Sequence, residues 1–400
     1  MMFTTKNRMR KHGFDAHALQ RRIHGHAIAV AIAAVGLAAC GSSSTPATAS
    51  PTLNPTATPS PTPSPTPAPP APLVVTVSGA PATTKLALVG EDGNVAATVT
   101  VPGGIDGSRY YVGSDHVYFF DGTTVKALAR DGSISVAGQI PQPTTTVTAQ
   151  DRQGYTSFAV SPDESTIVFG IPLAMAGDNG ATADHSQLWT EPVGGTAASA
   201  TLVYDDPNNT DNGGEVLLPF AWTSTGISVS ERPKGLGGAG PFLDYTAFNA
   251  ATFDPTTRRL TQPRECTASD QSGSVCVTQT DSSSLSPSLK IVQSSGTTTL
   301  TMNPANAAYG AISVSDDGHY LAYGSYVGEF GSGYYITTVV DLGTMATVSI
   351  FRDDAPAVWL SDGRLVVGQN DFGTGGTWLL SPAFTSPKKL SSDSPAGALE

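Results

Sequence analysis

Few residues in this chain have the type and spacing that chemistry requires. Of seven histidines in 400 residues, only His116, His185 and His319 lie beyond position 26. A histidine can serve as a general base near neutral pH. His116 and His319, however, read as residues of hairpin turns, where a lone exposed histidine needs no catalytic explanation. The chain has no Gly-x-Ser-x-Gly nucleophile elbow. Zinc would need clustered Cys or His, and the sequence lacks both. Oxygen ligands are denser, because Asp205-Asp206-Pro-Asn208-Asn209-Thr-Asp211-Asn212-Gly-Gly-Glu215 gathers the hard donors that calcium takes. Glycine does not fall at the sixth position from Asp206, and the flanks read as strands, so this segment reads as a turn-rich insertion. Asp178-Asn179-Gly180 with Asp184 is a weaker case of the same kind. No catalytic, cofactor-binding or metal-ligating residue is assigned, and calcium is the one cofactor left open.

The three cysteines carry more information. Residues 1–39 hold six of the 21 basic residues and one acid, followed by a small, apolar run at Ala27–Ala39. A positive segment ahead of an apolar stretch of about 7–15 residues is a secretory signal, and it is shorter than a membrane span of about 20 residues. It ends in Leu37-Ala38-Ala39-Cys40-Gly41, which resembles the lipobox of bacterial lipoproteins. That resemblance implies cleavage before Cys40 and a diacylglycerol thioether on its sulfur. Arg21-Arg22 suggests twin-arginine export, but Ile23-His24-Gly25 fits that signal poorly, and general secretion is favoured. Losing 1–39 leaves a mature net charge of −17, which repels anionic headgroups and leaves tethering to the lipid. In an exported chain Cys266 and Cys276, bracketing one turn, are expected to pair as a structural disulfide.

Composition narrows the class further. Charged residues are only 14%, and Lys+Arg against Asp+Glu is 21 to 33. A nucleic-acid binder would need a basic stripe, and a helical bundle would be rich in Glu, Lys and Leu. Residues 41–72 contain 11 prolines among Ser, Thr and Ala and no charge. Such a run stays extended at roughly 3.1 Å per residue and can reach about 100 Å. The expected organisation is a signal at 1–39, a lipidated Cys40 with a disordered stalk to 72, a domain over 73–392, and a disordered tail at 393–400.

The domain has to be built from strands, because short β-branched and aromatic runs alternate with Gly, Asp, Asn and Pro. Five segments align as strand, polar turn, strand: Tyr110–Phe119, Phe158–Phe169, Ala221–Val229, Ile312–Tyr323 and Ala357–Val367. A weaker copy spans Glu265–Val277. The residues before each turn (Val112, Val160, Trp222, Thr267, Val314, Trp359) step by 48, 62, 45, 47 and 45. A repeat of about 40–50 residues with four strands is a propeller blade. Second hairpins follow at Val125–Val136, Gln187–Tyr204, Leu289–Met302, Tyr335–Phe351 and Thr377–Leu390. A front unit runs Lys85–Val101 after a lone strand, Leu73–Val77. An all-β propeller of seven four-stranded blades is expected, with six or eight as alternatives. The first blade is a strand short, and pairing of the terminal strands would close the ring and remove open edges.

Phe-Ala-Val-Ser161-Pro162-Asp163 with Ile-Val-Phe169, and Val314-Ser315-Asp316-Asp317-Gly318 with Leu-Ala-Tyr323, resemble the repeat of TolB-like and WD40-like bacterial β-propellers. Asn370-Asp371 through Trp378 faintly resembles the Asp-box turn of sialidase-type propellers, without its spacing, and reads as a connecting turn. Trp189, Trp222, Trp359 and Trp378 could line a sugar-binding surface, but at alternating strand positions they are expected to fill inter-blade cores. Together these readings lead to a lipid-anchored protein at the cell membrane, facing outside the cytoplasm. Its propeller is expected to bind a protein or cell-envelope polymer without catalysis, and nucleic acid is not expected as a partner. The alternative is a hydrolase or lyase, lactonase- or glycosidase-like, acting at the central channel.

Overall fold

The computed structural model describes residues 70–400 except 81–82, 103–109, 143–155, 177–181, 206–214, 224–225, 234–249, 262–265, 267, 271, 281–287, 303–311, 328–333, 353–357 and 369–374. The signal, Cys40, nearly all of the stalk, most of the acidic insertion, Asp178–Gly180 and Asn370–Thr374 lie outside the described residues. His185 and Asp184 are placed only by their backbone, on a strand where they pair with Leu173 and Ala174.

Seven four-stranded antiparallel sheets account for the domain. Blade 2 is β4 (Tyr110–Val112), β5 (His116–Asp121), β6 (Thr124–Ala129) and β7 (Ile134–Gln139). Blade 3 is β8 (Ser157–Val160), β9 (Thr166–Ala176), β10 (Thr182–Pro192) and β11 (Thr201–Asp205). Blade 4 is β12 (Glu215–Thr223), β13 (Gly226–Pro233), β14 (Ala250–Asp254) and β15 (Arg259–Thr261). Blade 5 is β16 (Ala268–Ser269), β17 (Cys276–Thr280), β18 (Ser288–Gln293) and β19 (Gly296–Thr301). Blade 6 is β20 (Ile312–Val314), β21 (Tyr320–Val327), β22 (Tyr334–Asp341) and β23 (Ala346–Arg352). Blade 7 is β24 (Val358–Trp359), β25 (Leu365–Gly368), β26 (Thr377–Leu380) and β27 (Lys388–Ser391).

Blade 1 joins the two ends of the chain. Its order is β28 (Ser394–Leu399), β1 (Leu73–Ala80), β2 (Thr83–Val89) and β3 (Val95–Pro102). Leu73 pairs with Leu399 and Val77 with Ser394. The expected disordered tail at 393–400 is therefore wrong: residues 394–399 are the inner strand of blade 1. They read as tail because Ser-Pro-Ala-Gly-Ala-Leu has little strand propensity of its own. The open β1 edge holds them in place, and Leu399 is fully buried beside Val75 and Val117.

Buried strands here are apolar on both faces, because each blade packs against two neighbours. In β5, Val117 and Phe119 face blade 1 while Tyr118 and Phe120 face blade 3. Fully burying one such side chain is worth about 1.5–3 kcal/mol. Six clusters of this kind join blades 1–2, 2–3, 3–4, 5–6, 6–7 and 7–1. Trp359 is buried between blades 6 and 7, and Trp378, Trp222 and Trp189 pack against their own seams, as core tryptophans.

Candidate functional site on the tight-turn face

Because strands alternate in direction, the turn from the inner to the second strand and the turn from the third to the outer strand emerge on one face of each blade. These turns are short, and most are closed by an aspartate. Asp163 accepts from Ser161 Oγ at 2.6 Å and from the Ser165 N–H at 3.1 Å. Asp317 accepts from Ser315 Oγ at 2.7 Å and from the His319 N–H at 3.0 Å. Asp362 accepts from the Arg364 N–H at 3.1 Å. Asp92, Asp131, Asp254 and Asp341 close third-to-outer turns in the same way. The side chain supplies the acceptor that the reversing backbone lacks. The turn chemistry of the sequence thus gathers carboxylates on one side of the ring.

The donors in these turns stabilise the charged form. Hydrogen bonds from Ser161 and Ser165 hold the Asp163 carboxyl below its usual range, and those from Ser315 and His319 do the same for Asp317. At Asp270 burial opposes ionisation, but hydroxyls of Ser272 and Ser274 and the Val275 N–H outweigh it. Asp316 runs the other way: burial, then the charges of Asp317 and Asp270, push its carboxyl up.

The densest arrangement lies between blades 2 and 3. Glu164 points from its turn into the turn of the neighbouring blade. Its Oε2 is 2.6 Å from His116 Nδ1 and 2.9 Å from the Tyr118 hydroxyl. Its Oε1 accepts from the Asp115 N–H at 2.7 Å and from Ser114 Oγ at 3.1 Å. Burial works against the Glu164 charge, yet these donors hold the carboxyl below the ordinary glutamate range. Burial, the hydrogen bond to Glu164 and its charge together push the Tyr118 hydroxyl up. Glu164 sits at φ +52°, the left-handed region. The equivalent turn position is Gly318 in blade 6 and Gly363 in blade 7, at φ +69° and +81°. A non-glycine residue there costs of order 1–2 kcal/mol, so the clasp offsets strain in its own backbone.

This corrects the reading of His116 as a lone turn residue: it opens β5 and is paired. His319 is nearer that reading, half exposed with Nε2 3.4 Å from Asp341. Elsewhere on this face Arg364 bridges blades 7 and 1, 2.6 Å from Glu91 and 2.7 Å from Asp362. The Glu400 carboxylate accepts from the Ser361 N–H of blade 7 at 2.7 Å, and its own N–H donates to Ser114 of blade 2. Toward the axis, Tyr111 of β4 packs against both the cluster between blades 2 and 3 and the one between blades 3 and 4.

Cys266 and Cys276 form a disulfide with Cα atoms 5.2 Å apart. They are not opposed ladder residues, because Cys276 pairs with Ser269 and Cys266 lies ahead of β16. Among the described residues no group of three or more His, Cys, Asp or Glu is placed to hold a metal ion. Asp205 ends β11 and Glu215 begins β12, so the acidic insertion does join two strands.

No protein-family model matches the chain, and no curated protein does. Among solved structures it is similar to TolB from Acinetobacter baumannii, at 11% identity over 82% of this chain and 65% of that one, with a TM-score of 0.35. It is also similar to a proposed 6-phosphogluconolactonase from Bacteroides fragilis, at 13% identity over 82% and 96% of the two chains, TM-score 0.43. A functionally unknown protein from Desulfotomaculum acetoxidans gives 12% identity over 82% and 98%, TM-score 0.43. The chain spans less than two thirds of that TolB, and these likenesses concern the fold alone.

Proposed function

We propose that this protein is a lipid-anchored, extracytoplasmic binding propeller whose tight-turn face receives a cationic partner, a protein or a cell-envelope polymer. The observation that carries this reading is the fixed charge on one face: Asp92, Asp131 and Asp163 are exposed and Asp254 is half-buried, and the turns of all four keep their carboxylates ionised. A surface of one sign speeds encounter with the opposite sign and rejects like-charged partners. The same charge holds the domain off anionic headgroups, a role that suits an acyl anchor at Cys40 and an extended stalk. Immobilised full-length protein should capture a partner from envelope extracts in a salt-sensitive way. Asp163→Asn, Asp317→Asn and Asp362→Asn together should abolish capture while preserving the turns, since Asn closes the same turn without charge. Capture unaffected by both salt and the triple variant would refute the charged-face reading. Cys40→Ala should release the chain from membranes, and retention with lipid label would refute the anchor.

One observation favours the enzyme alternative. Glu164 orients His116 through Nδ1, which leaves Nε2 directed elsewhere on a ring about one-third exposed. A carboxylate-oriented imidazole is half of a general-base pair. Hydrolysis of lactones or glycosides by the wild type, lost in His116→Gln with the fold intact, would establish it.

A further inference from the structure

We propose that residues 193–199 of blade 3 form a pH-operated strap over the outer edge of blade 2, held down while Glu191 is protonated and released when Glu191 ionises. An outer strand leaves one row of backbone groups without a ladder partner. On β7, Ala137 and Gln139 are two residues apart and aim these groups the same way. Blade 3 covers both. The Gly194 N–H donates to the Ala137 carbonyl at 2.7 Å, the Gln139 N–H donates to Glu191 Oε1 at 3.3 Å, and the Ala197 N–H donates to Gln139 Oε1 at 3.5 Å. The strap stands where a tight turn joins third to outer strand in blades 1, 2, 4 and 6, and it is longer than any of those four. It is also a unit in itself, because Ser199 Oγ accepts from the Thr196 N–H at 3.0 Å and donates to the Thr196 carbonyl at 2.7 Å. Gly194, at φ +80° with open space where a side chain would stand, gives it a hinge.

Glu191 lies beneath the strap, fully buried on β10 opposite Ile167. Backbone closes on it from two sides: a Cβ at Gly195 would fall 2.9 Å from its Cγ, and one at Gly138 3.4 Å from its Oε1. Its Oε2 has no hydrogen-bond partner among the described residues. The elements packed against it bring no charge: residues 137–139 of β7 are Ala-Gly-Gln, residues 165–167 leading into β9 are Ser-Thr-Ile, and the strap is Val-Gly-Gly-Thr-Ala-Ala-Ser. Glu164, next in the chain to Ser165, is engaged with His116 and Tyr118, and Lys126 of β6 pairs with Asp121. The protonated acid needs little solvation and stays under cover, while the carboxylate needs partners at both oxygens. One bond from Gln139 does not replace the lost water, and burial accordingly pushes the carboxyl up. Lifting the strap lets the proton pass to solvent and hydrates the charge. It uncovers Ala137 and Gln139 as a strand edge continuous with the exposed Ile134 and Val136, open to pairing with an extended segment.

The closed-state value lies above that of an exposed glutamate, about 4.3, so the strap is fully held below about that pH. Its opening should rise about tenfold per pH unit from there until the closed-state value is passed, and then level off. Hydrogen exchange of the full chain from pH 4 to pH 9, corrected for the intrinsic pH dependence of exchange, follows the Gly194 and Gln139 amides. Both should lose protection in step, by at least about tenfold across the series. The Asp115 amide, held by Glu164 at the same seam, should not. Glu191→Gln should keep the Gly194 and Gln139 amides protected at every pH. If that variant does not fold, the wild-type series decides alone. Protection at Gly194 that does not change with pH, an equal loss in Glu191→Gln, or a parallel loss at Asp115 and across β28 would each overturn the proposal.

Discussion

Glu191 is the group whose replacement should stabilise the protein, and the sign depends on pH. It lies near the end of β10, where the turn of blade 3 meets β7 of blade 2, and it is fully buried. One carboxyl oxygen is 3.3 Å from the Gln139 N–H, and the other has no hydrogen-bond partner among the described residues. Burial pushes its carboxyl above the ordinary range, with the Gln139 hydrogen bond opposing only in part. In the unfolded chain a glutamate titrates at about 4.3. Folding at neutral pH must therefore draw in a proton or bury a charge. A folded-state value raised above the unfolded one gives stability that is complete below about pH 4.3 and is lost as pH rises toward the folded value. Glu191→Gln keeps the shape and removes the titration. Leaving one buried polar group imperfectly paired costs about 1–3 kcal/mol, and the new amide incurs part of the same cost, so a net gain of about 1–2 kcal/mol is expected at pH 8. With an unfolding entropy of about 2.1 cal/mol/K per residue over roughly 330 residues, that is a rise in Tm of about 1.5–3 °C. Thermal unfolding of both proteins at pH 4 and pH 8 tests the claim, because other groups cancel in the difference. A variant that is less stable at both values, or a difference that does not change with pH, would refute it.

Glu164→Ala should lower stability at pH 7 by about 2 kcal/mol, since it removes several hydrogen bonds to a partly exposed charge. Glu164 has a depressed folded value, so that deficit should fade as pH drops below about 4 and through the folded value, which acid titration of unfolding would follow. Glu164→Gly should be more stable than Glu164→Ala by about 1 kcal/mol in denaturant melts, because glycine adopts the left-handed conformation without strain. Leu399→Ala should cost about 2–4 kcal/mol by emptying a fully buried site at the ring closure, whereas a surface substitution such as Thr299→Ala should move the midpoint little.

Much of the architecture is legible from spacing alone. The Ser161-Pro-Asp163 and Ser315-Asp-Asp317 turns fall where β8 meets β9 and β20 meets β21, because an aspartate closing a tight turn is a local event. Blade 4 is harder to read. Its outer hairpin, β14–β15, gives little periodic signal in five and three residues, and was not among the second hairpins expected. The strand β28 is invisible locally and follows only from counting: a blade one strand short must borrow one. Glu164 also has a signal, overlooked because it lies in a comparison between repeats. It is a glutamate at a position where two other copies carry glycine, and a costly residue retained at such a position does something in return. The partners of Glu164 come from 46 to 50 residues away, in the preceding blade, and no pattern within one repeat reveals them.

The closure of blade 1 sets an order of events for biogenesis. β1 ends at Ala80 and its partner β28 begins at Ser394, so the first strands made must wait for nearly the last. At about 5–20 residues per second, that interval of roughly 310 residues lasts about 15–60 s. Throughout it, Val74, Val75 and Val77 line an edge that can pair with any other free strand. The nascent chain therefore gains nothing by beginning its ring early, and a chain kept extended until synthesis ends avoids mispairing altogether. Any process that keeps the chain extended until residue 399 is available removes that exposure, because β1 then meets its partner β28 as soon as folding begins.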